Sequence, residues 1–207
     1  VPKDELQAAV WYRKSADGGY AAAQLNLGLL YYQGTGVPKD LAEAANLFRK
    51  AAEQGDASAQ RNLGIAYANG FGVMKDLVQA VKWYSQSSAQ GDAVAEGNLG
   101  ACYYFGNGVT KDTEEAVRWY RKAAEQGSAF AQGNLGACCL LGAGTARDPV
   151  EAVRWFQKAA ESGNAFAQSE LGECYESGAG IAQNIFEAAK WYQRAAEQGN
   201  AQAQFNL

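Results

Sequence analysis

Cys102, Cys138 and Cys174 are spaced 36 residues apart, and Cys139 stands directly after one of them. Thiols are the groups in this chain best suited to nucleophilic or metal chemistry, because a thiolate attacks carbonyls and binds soft cations. Either use needs help from a second group. Histidine is absent, which removes Ser-His-Asp and Cys-His catalysis and with them the His-containing metal sites. A cluster of thiols alone would have to converge on one ion. Equivalent positions in neighbouring helical repeats stand about 8–10 Å or more apart, beyond the roughly 7 Å Cα limit for a disulfide. The sequence therefore predicts buried free thiols, no metal and no cofactor.

The other reactive candidates are weaker. Glu170 and Glu173 lie one helical turn apart and could pair as carboxylates, but no organised third group accompanies them. No Ser-x-x-Lys nucleophile motif and no Walker lysine occur. A Gly-x-Gly recurs as Gly34/Gly36, Gly70/Gly72, Gly106/Gly108, Gly142/Gly144 and Gly178/Gly180. It follows a helix rather than a strand and lacks the third glycine of a dinucleotide site, so it reads as a structural turn. The expectation is a protein that is not an enzyme.

The elements that position these residues are copies of one module. Leu27-Gly28, Leu63-Gly64, Leu99-Gly100, Leu135-Gly136 and Leu171-Gly172 recur every 36 residues, and Leu207 ends the chain where another copy would begin. A fixed period of this size means stacked units, each contacting mainly its neighbours. Five whole repeats are read at 20–55, 56–91, 92–127, 128–163 and 164–199, with a half repeat at 1–19 and a partial one at 200–207, all within a single solenoid over 1–207.

Each repeat reads as two helices. The second, helix B, opens with Asp4/Gln7, Asp40/Glu43, Asp76/Gln79, Asp112/Glu115, Asp148/Glu151 and Asn184/Glu187. This is the capping-box pattern, in which the two side chains satisfy each other's orphan amides. Pro149 follows Asp148 at the first helical position, where its missing N–H costs nothing. Helix B stops at Gly55, Gly91, Gly127, Gly163 and Gly199, a left-handed position that glycine fills without strain. Asp56, Asp92, Ser128, Asn164 and Asn200 then cap the next helix A, so the unit is a helical hairpin.

Composition agrees with an interaction module. Apolar residues make up 48% of 207, yet none of the hydrophobic runs approaches the ~18 residues that cross a bilayer. The net charge of −4 and the sequence pI near 5.0 argue against nucleic acid, which needs a basic stripe. Lys and Arg on helix B, such as Arg118, Arg121 and Lys122, alternate with Glu and read as a solvated face. The start Val1-Pro2-Lys3-Asp4 copies Val37-Pro38-Lys39-Asp40, so both ends read as cuts through a longer array, and no signal peptide is visible. Open ends of such a stack allow end-to-end self-association.

Ala131-Gln132-x-Asn134-Leu135-Gly136, the Gly-x-Gly turn, the Val-x-Lys-Asp run and Trp-Tyr-Arg-Lys-Ala-Ala-Glu-Gln-Gly resemble the Sel-one-like repeat family, relatives of tetratricopeptide repeats. The resemblance covers essentially the whole chain. It implies an all-α fold, a right-handed α-solenoid of antiparallel helix-turn-helix repeats, used as a scaffold or adaptor in bacterial protein complexes. It also points to an exported or periplasmic setting. Cysteine-rich members pair two cysteines in each repeat, which this chain does not, and some have been proposed to act on β-lactams, which leaves a hydrolase as the alternative. A self-assembling structural array is the other alternative.

Laying the repeats over one another separates what stacking needs from what varies. On helix A, the columns of Ala23, Gln24, Leu27, Gly28 and Tyr31 fall on one side at about 100° per residue and are expected to pack. Cys139 stands in the Tyr31 column. The columns of Ala22, Leu25, Leu29, Tyr32 and Gln33 fall on the opposite arc and change between repeats. In tetratricopeptide relatives this face lines a concave groove. Carried over, the partner-binding residues are Leu25, Leu29, Tyr32, Arg61, Ile65, Asn98, Tyr104, Phe105, Asn134, Leu140, Leu141, Glu173 and Glu176. The partner is then a protein or peptide with apolar anchors and a basic end. Asn26, Asn62, Asn98, Asn134 and Asn206, interrupted by Glu170, form a further column that either clamps a peptide backbone or bonds within the fold.

Overall fold

A computed structural model describes residues 4–207, and all of its regular structure there is helical. The Val1-Pro2-Lys3 copy of Val37-Pro38-Lys39 lies outside the described residues. The B helices are α1 (Glu5–Asp17), α3 (Leu41–Glu53), α5 (Leu77–Ser88), α7 (Thr113–Glu125), α9 (Pro149–Glu161) and α11 (Ile185–Glu197). The A helices are α2 (Ala21–Gln33), α4 (Ala57–Asn69), α6 (Ala93–Phe105), α8 (Ala129–Leu141), α10 (Ala165–Ser177) and α12 (Ala201–Asn206). The fold class is the all-α helix-turn-helix solenoid that the period predicts. Two compact units divide the chain, residues 1–95 with 107–110 and residues 96–106 with 111–207.

Capping explains where each helix starts. Asp40 Oδ1 accepts from the amides of Ala42 and Glu43, both at 3.0 Å, and Asp112, Asp148 and Asn184 each accept from the amide three residues on. The A helices repeat the device at Asp56, Asp92, Ser128, Asn164 and Asn200. Each such cap contributes about 1 kcal/mol.

The expected reciprocal half of the capping box is not made. Asp40, Asp76, Asp112, Asp148 and Asn184 donate their own amides to the carbonyls of Tyr31, Tyr67, Tyr103, Cys139 and Tyr175. The last turn of helix A therefore ties itself to the capping residue of helix B. That releases the glutamates: Glu115 pairs with Arg118, Glu187 with Lys190, and Glu151 with Arg121 and the Trp155 indole.

In the first unit, Ala44, Phe48, Ala51, Ala52, Ala59 and Leu63 form one buried cluster, and Ala16, Ala23, Leu27 and Leu47 another. The second unit has a larger core centred on Tyr120, Leu135, Phe156 and Leu171. In both, a B-helix aromatic packs directly against an A-helix glycine. A Cβ on Gly136 would stand 2.7 Å from the Phe156 ring, too close for real atoms. The Gly-x-Gly turn is equally tight, since a Cβ on Gly144 (φ 72°) would overlap the Thr113 carbonyl at the start of the preceding helix B. Glycine there lets one repeat's turn seat on its neighbour's helix end.

Candidate functional site

Four of the five A-helix columns expected to pack do so: Ala23, Gln24, Leu27 and Gly28 and their equivalents in α4, α8 and α10 are buried, whereas Tyr31, Tyr67, Tyr103 and Tyr175 of the fifth are half-buried and only Cys139 there is fully enclosed. Buried glutamines need partners, and they find them by a regular rule. Gln24, Gln60, Gln132 and Gln168 each donate to a carbonyl eight residues back, at 3.1–3.3 Å. Glu96 occupies the same column and has no amide to donate. It is fully buried, and it accepts instead from Lys122 Nζ at 2.8 Å and Gln126 Nε2 at 2.5 Å. Lys122 and Arg121 keep their solvent exposure, as the sequence predicts for this face, while also pairing inward, Arg121 with Glu151 at 2.8 Å. Arg118 remains largely in solvent.

Arg121 also shows why Cys139 matters. Arg13 and Arg49 donate to the hydroxyls of Tyr31 and Tyr67, eighteen residues ahead. The residue eighteen ahead of Arg121 is Cys139, which is fully buried, and the guanidinium turns to Glu151. The hydrogen bonds from Arg121 and Trp155 hold the Glu151 carboxyl below the usual carboxylate range.

All four cysteines are buried and free, and burial pushes Cys102, Cys138, Cys139 and Cys174 up to about 11. A thiol held protonated at neutral pH is a poor nucleophile and a poor ligand. Among the described residues no three His, Cys, Asp or Glu side chains gather to hold a metal, and no helix is long and apolar enough to cross a membrane.

On the variable face of the first unit, Leu25, Leu29 and Tyr32 are half-buried against the core. Arg61 is tied by a 2.8 Å ion pair to Asp92, the cap of α6. Leu29, Tyr32 and Ile65 line a cavity of about 170 Å³ together with Phe48, Ala66 and Phe71. The rings of Tyr32 and Phe71 stand 5.9 Å apart, with Lys39 Nζ 5.9 Å from the Tyr32 ring centroid.

In the second unit, Tyr104 and Leu140 pack against the core while Phe105 and Leu141 are 65% and 67% exposed. Tyr104 meets Phe105 edge-on at 5.0 Å, and Lys111 lies 5.8 Å from the Tyr104 centroid. Glu173 and Glu176 are exposed, and Glu176 accepts from the Tyr192 hydroxyl at 2.7 Å. Burial, with Glu173 adding to it, raises the Glu170 carboxyl above its ordinary value. Asn98 and Asn134 are half-buried, and Asn134 donates to Phe130 O in its own helix at 2.8 Å rather than to a neighbouring helix.

Gly97 and Gly133, read as part of the open arc, are buried. Phe130 and Phe166, from the first turn of the next A helix, lie 3.3 and 3.4 Å from where their Cβ atoms would be. In these repeats the Leu25 column makes room for a neighbour's ring. Phe71 and the alanines below it escaped sequence reading. Their signal was present: Phe71 breaks a column of Thr35, Asn107, Ala143 and Ala179, but it lies in the turn and not on helix A.

A model of the Sel1 repeat matches residues 1–20, 21–56, 57–92, 93–128, 129–164 and 165–200. A protective antigen of uropathogenic Escherichia coli with an SLR fold is 40% identical at a TM-score of 0.86, with 100% of this chain and 44% of that one covered. The chain thus spans less than half the length of that antigen. A Sel1 repeat protein from Oxalobacter formigenes is 36% identical at a TM-score of 0.85, covering 97% and 85%. Cysteine-rich protein B of Helicobacter pylori shares the fold at 22% identity and a TM-score of 0.51, covering 64% of this chain and 96% of that one. Comparison with curated proteins returned no match.

Proposed function

The chain belongs to the Sel1 repeat family, whose members are typically protein-interaction scaffolds, and from that premise we propose that it is a non-catalytic scaffold holding a peptide segment on its A-helix faces. The observation that carries this reading is the exposure of Phe105 and Leu141 in one column, where the other repeats carry Gln33, Asn69 and Ser177. Large apolar side chains gain by leaving water, and a cluster of them at the surface marks an interaction site. The Tyr104 ring backs Phe105 edge-on at 5.0 Å, and Asn98 and Asn134 stand half-buried on the same two helices. Glu173 and Glu176 favour a basic residue in the segment.

The test is selection from a displayed random peptide library followed by affinity measurement. Enriched peptides should combine apolar and basic residues. Replacing Phe105→Ser and Leu141→Ser together should weaken them at least tenfold, about 1.4 kcal/mol or more, with the helical circular dichroism unchanged. Loss of the helical signal would instead assign both side chains to packing and overturn the reading.

A further inference from the structure

The cavity of the first unit is made by departures from the repeat. Its floor is formed by Phe48, Ala45 and Ala66, all buried. Ala45 stands where the three following B helices carry Val81, Val117 and Val153, although the first and last B helices carry Ala9 and Ala189, and Ala66 stands where the following A helices carry Cys102, Cys138 and Cys174. Two carbons and a sulfur are therefore missing from the floor. At the rim the departures run the other way. Leu29 and Ile65 are branched where Ala101 and Ala137 stand, and Phe71 replaces small or polar residues. The result is a deepened apolar hole of about 170 Å³ with tall walls, whose rim side chains are half-buried and so reach solvent. An apolar cavity of about 150 Å³ with Leu, Ile and Phe walls accepts benzene.

A cation stands beside the rim, outside the lining itself. Lys39 lies beside the Tyr32 ring and makes no ion pair among the described residues. Asn62 and Gln33 add amides to the lining.

Building on the scaffold reading, we propose that this cavity is an anchor pocket for one phenyl-sized side chain of a bound peptide, with a neighbouring acidic residue of that peptide meeting Lys39. The chemistry is a ring entering a preformed, largely apolar hole that opens to solvent, where burial supplies affinity and the flanking cation supplies orientation. A peptide and not a free arene is favoured because a residue beside the ring can bring a carboxylate to Lys39, which is exposed and makes no ion pair among the described residues.

The test fills the pocket with the residues its sister positions already hold, Ala45→Val with Ala66→Cys, a change the fold accommodates three times elsewhere in the chain. The probes are acetyl-Asp-Phe-amide, acetyl-Asp-Ala-amide and fluorobenzene, followed by NMR. The unmodified protein should bind acetyl-Asp-Phe-amide with a Kd on the order of 1 mM. The filled variant, melting as a folded protein, should lose at least about fivefold, as should the Ala peptide, and Lys39→Gln about threefold. Equal binding of the Phe and Ala peptides overturns the proposal. So does fluorobenzene binding without any peptide binding, or no binding of any probe. The Phe105→Ser/Leu141→Ser variant should bind acetyl-Asp-Phe-amide normally. If library peptides respond to that variant and acetyl-Asp-Phe-amide ignores the filled one, the anchor is refuted and the scaffold reading stands.

Discussion

Gln198 Nε2 donates to Gln168 Oε1 at 2.8 Å, joining the end of α11 to the first turn of α10 in the same repeat. Gln54 does the same to Gln24, Gln90 to Gln60 and Gln126 to Glu96. Each acceptor glutamine spends its own amide on a carbonyl of the preceding B helix, so both ends of a buried amide are satisfied. The fourth whole repeat lacks the donor. Ser162 stands there, bonding to Lys158 O, and Gln132 Oε1 is buried without a partner among the described residues.

Ser162→Gln should therefore stabilise the protein. Giving a buried acceptor its missing donor is worth about 1 kcal/mol, or roughly 2–4 °C in Tm for a chain of this size. The measurement is a denaturant midpoint at unchanged slope, and an unchanged midpoint would show that solvent already serves Gln132.

Gly136→Ala should do the opposite. The new methyl group would lie 2.7 Å from the Phe156 ring, and overpacking of this kind costs about 1–3 kcal/mol. In the Phe156→Leu background the same change should cost less, because the ring that it strikes is gone. A double-mutant cycle measures the difference, and strict additivity would place the strain elsewhere.

Glu170 gives a pH signature. Its folded pKa is raised, chiefly by burial and further by Glu173. A carboxyl with a raised folded pKa contributes stability in full below its unfolded pKa and loses it as pH rises through the folded one. Glu170→Gln should thus leave stability nearly unchanged at pH 3.5 and raise it at pH 7. Paired denaturation curves at the two pH values check this, and an equal gain at both would point to packing instead of charge.

The thiols should be silent in the folded protein. With pKa values near 11 against an ordinary 9.0, about one thiol in a thousand is ionised at pH 8. Iodoacetamide at pH 8 should leave the native chain unmodified and alkylate Cys102, Cys138, Cys139 and Cys174 in guanidinium, as read by mass spectrometry. By the same linkage their contribution to stability is lost as pH climbs from 9 through 11.

The hairpins, the caps and the turns were legible in the residues because each signal sits within a few positions of its effect. Asp40 caps Glu43 three residues on, and a fixed 36-residue period states that the same event recurs. The buried thiols followed from the same periodicity. The packed face of helix A was legible too, since its columns hardly vary.

What remained hidden depends on residues far apart in the chain that share one space. The Asp40 amide prefers the Tyr31 carbonyl to the Glu43 side chain, because helix A arrives beside it only after folding. Gly97 looks free on a helical projection, yet Phe130 of the next repeat fills the space above it. Ala45 and Ala66 each look like harmless small residues. Only their meeting beneath Leu29, Tyr32 and Phe71 makes a cavity, since a void belongs to the gap between side chains and to none of them singly. Sequence by itself determined the module and its repetition, through local backbone chemistry; tertiary packing decided which exceptions to the repeat fill space and which leave it open.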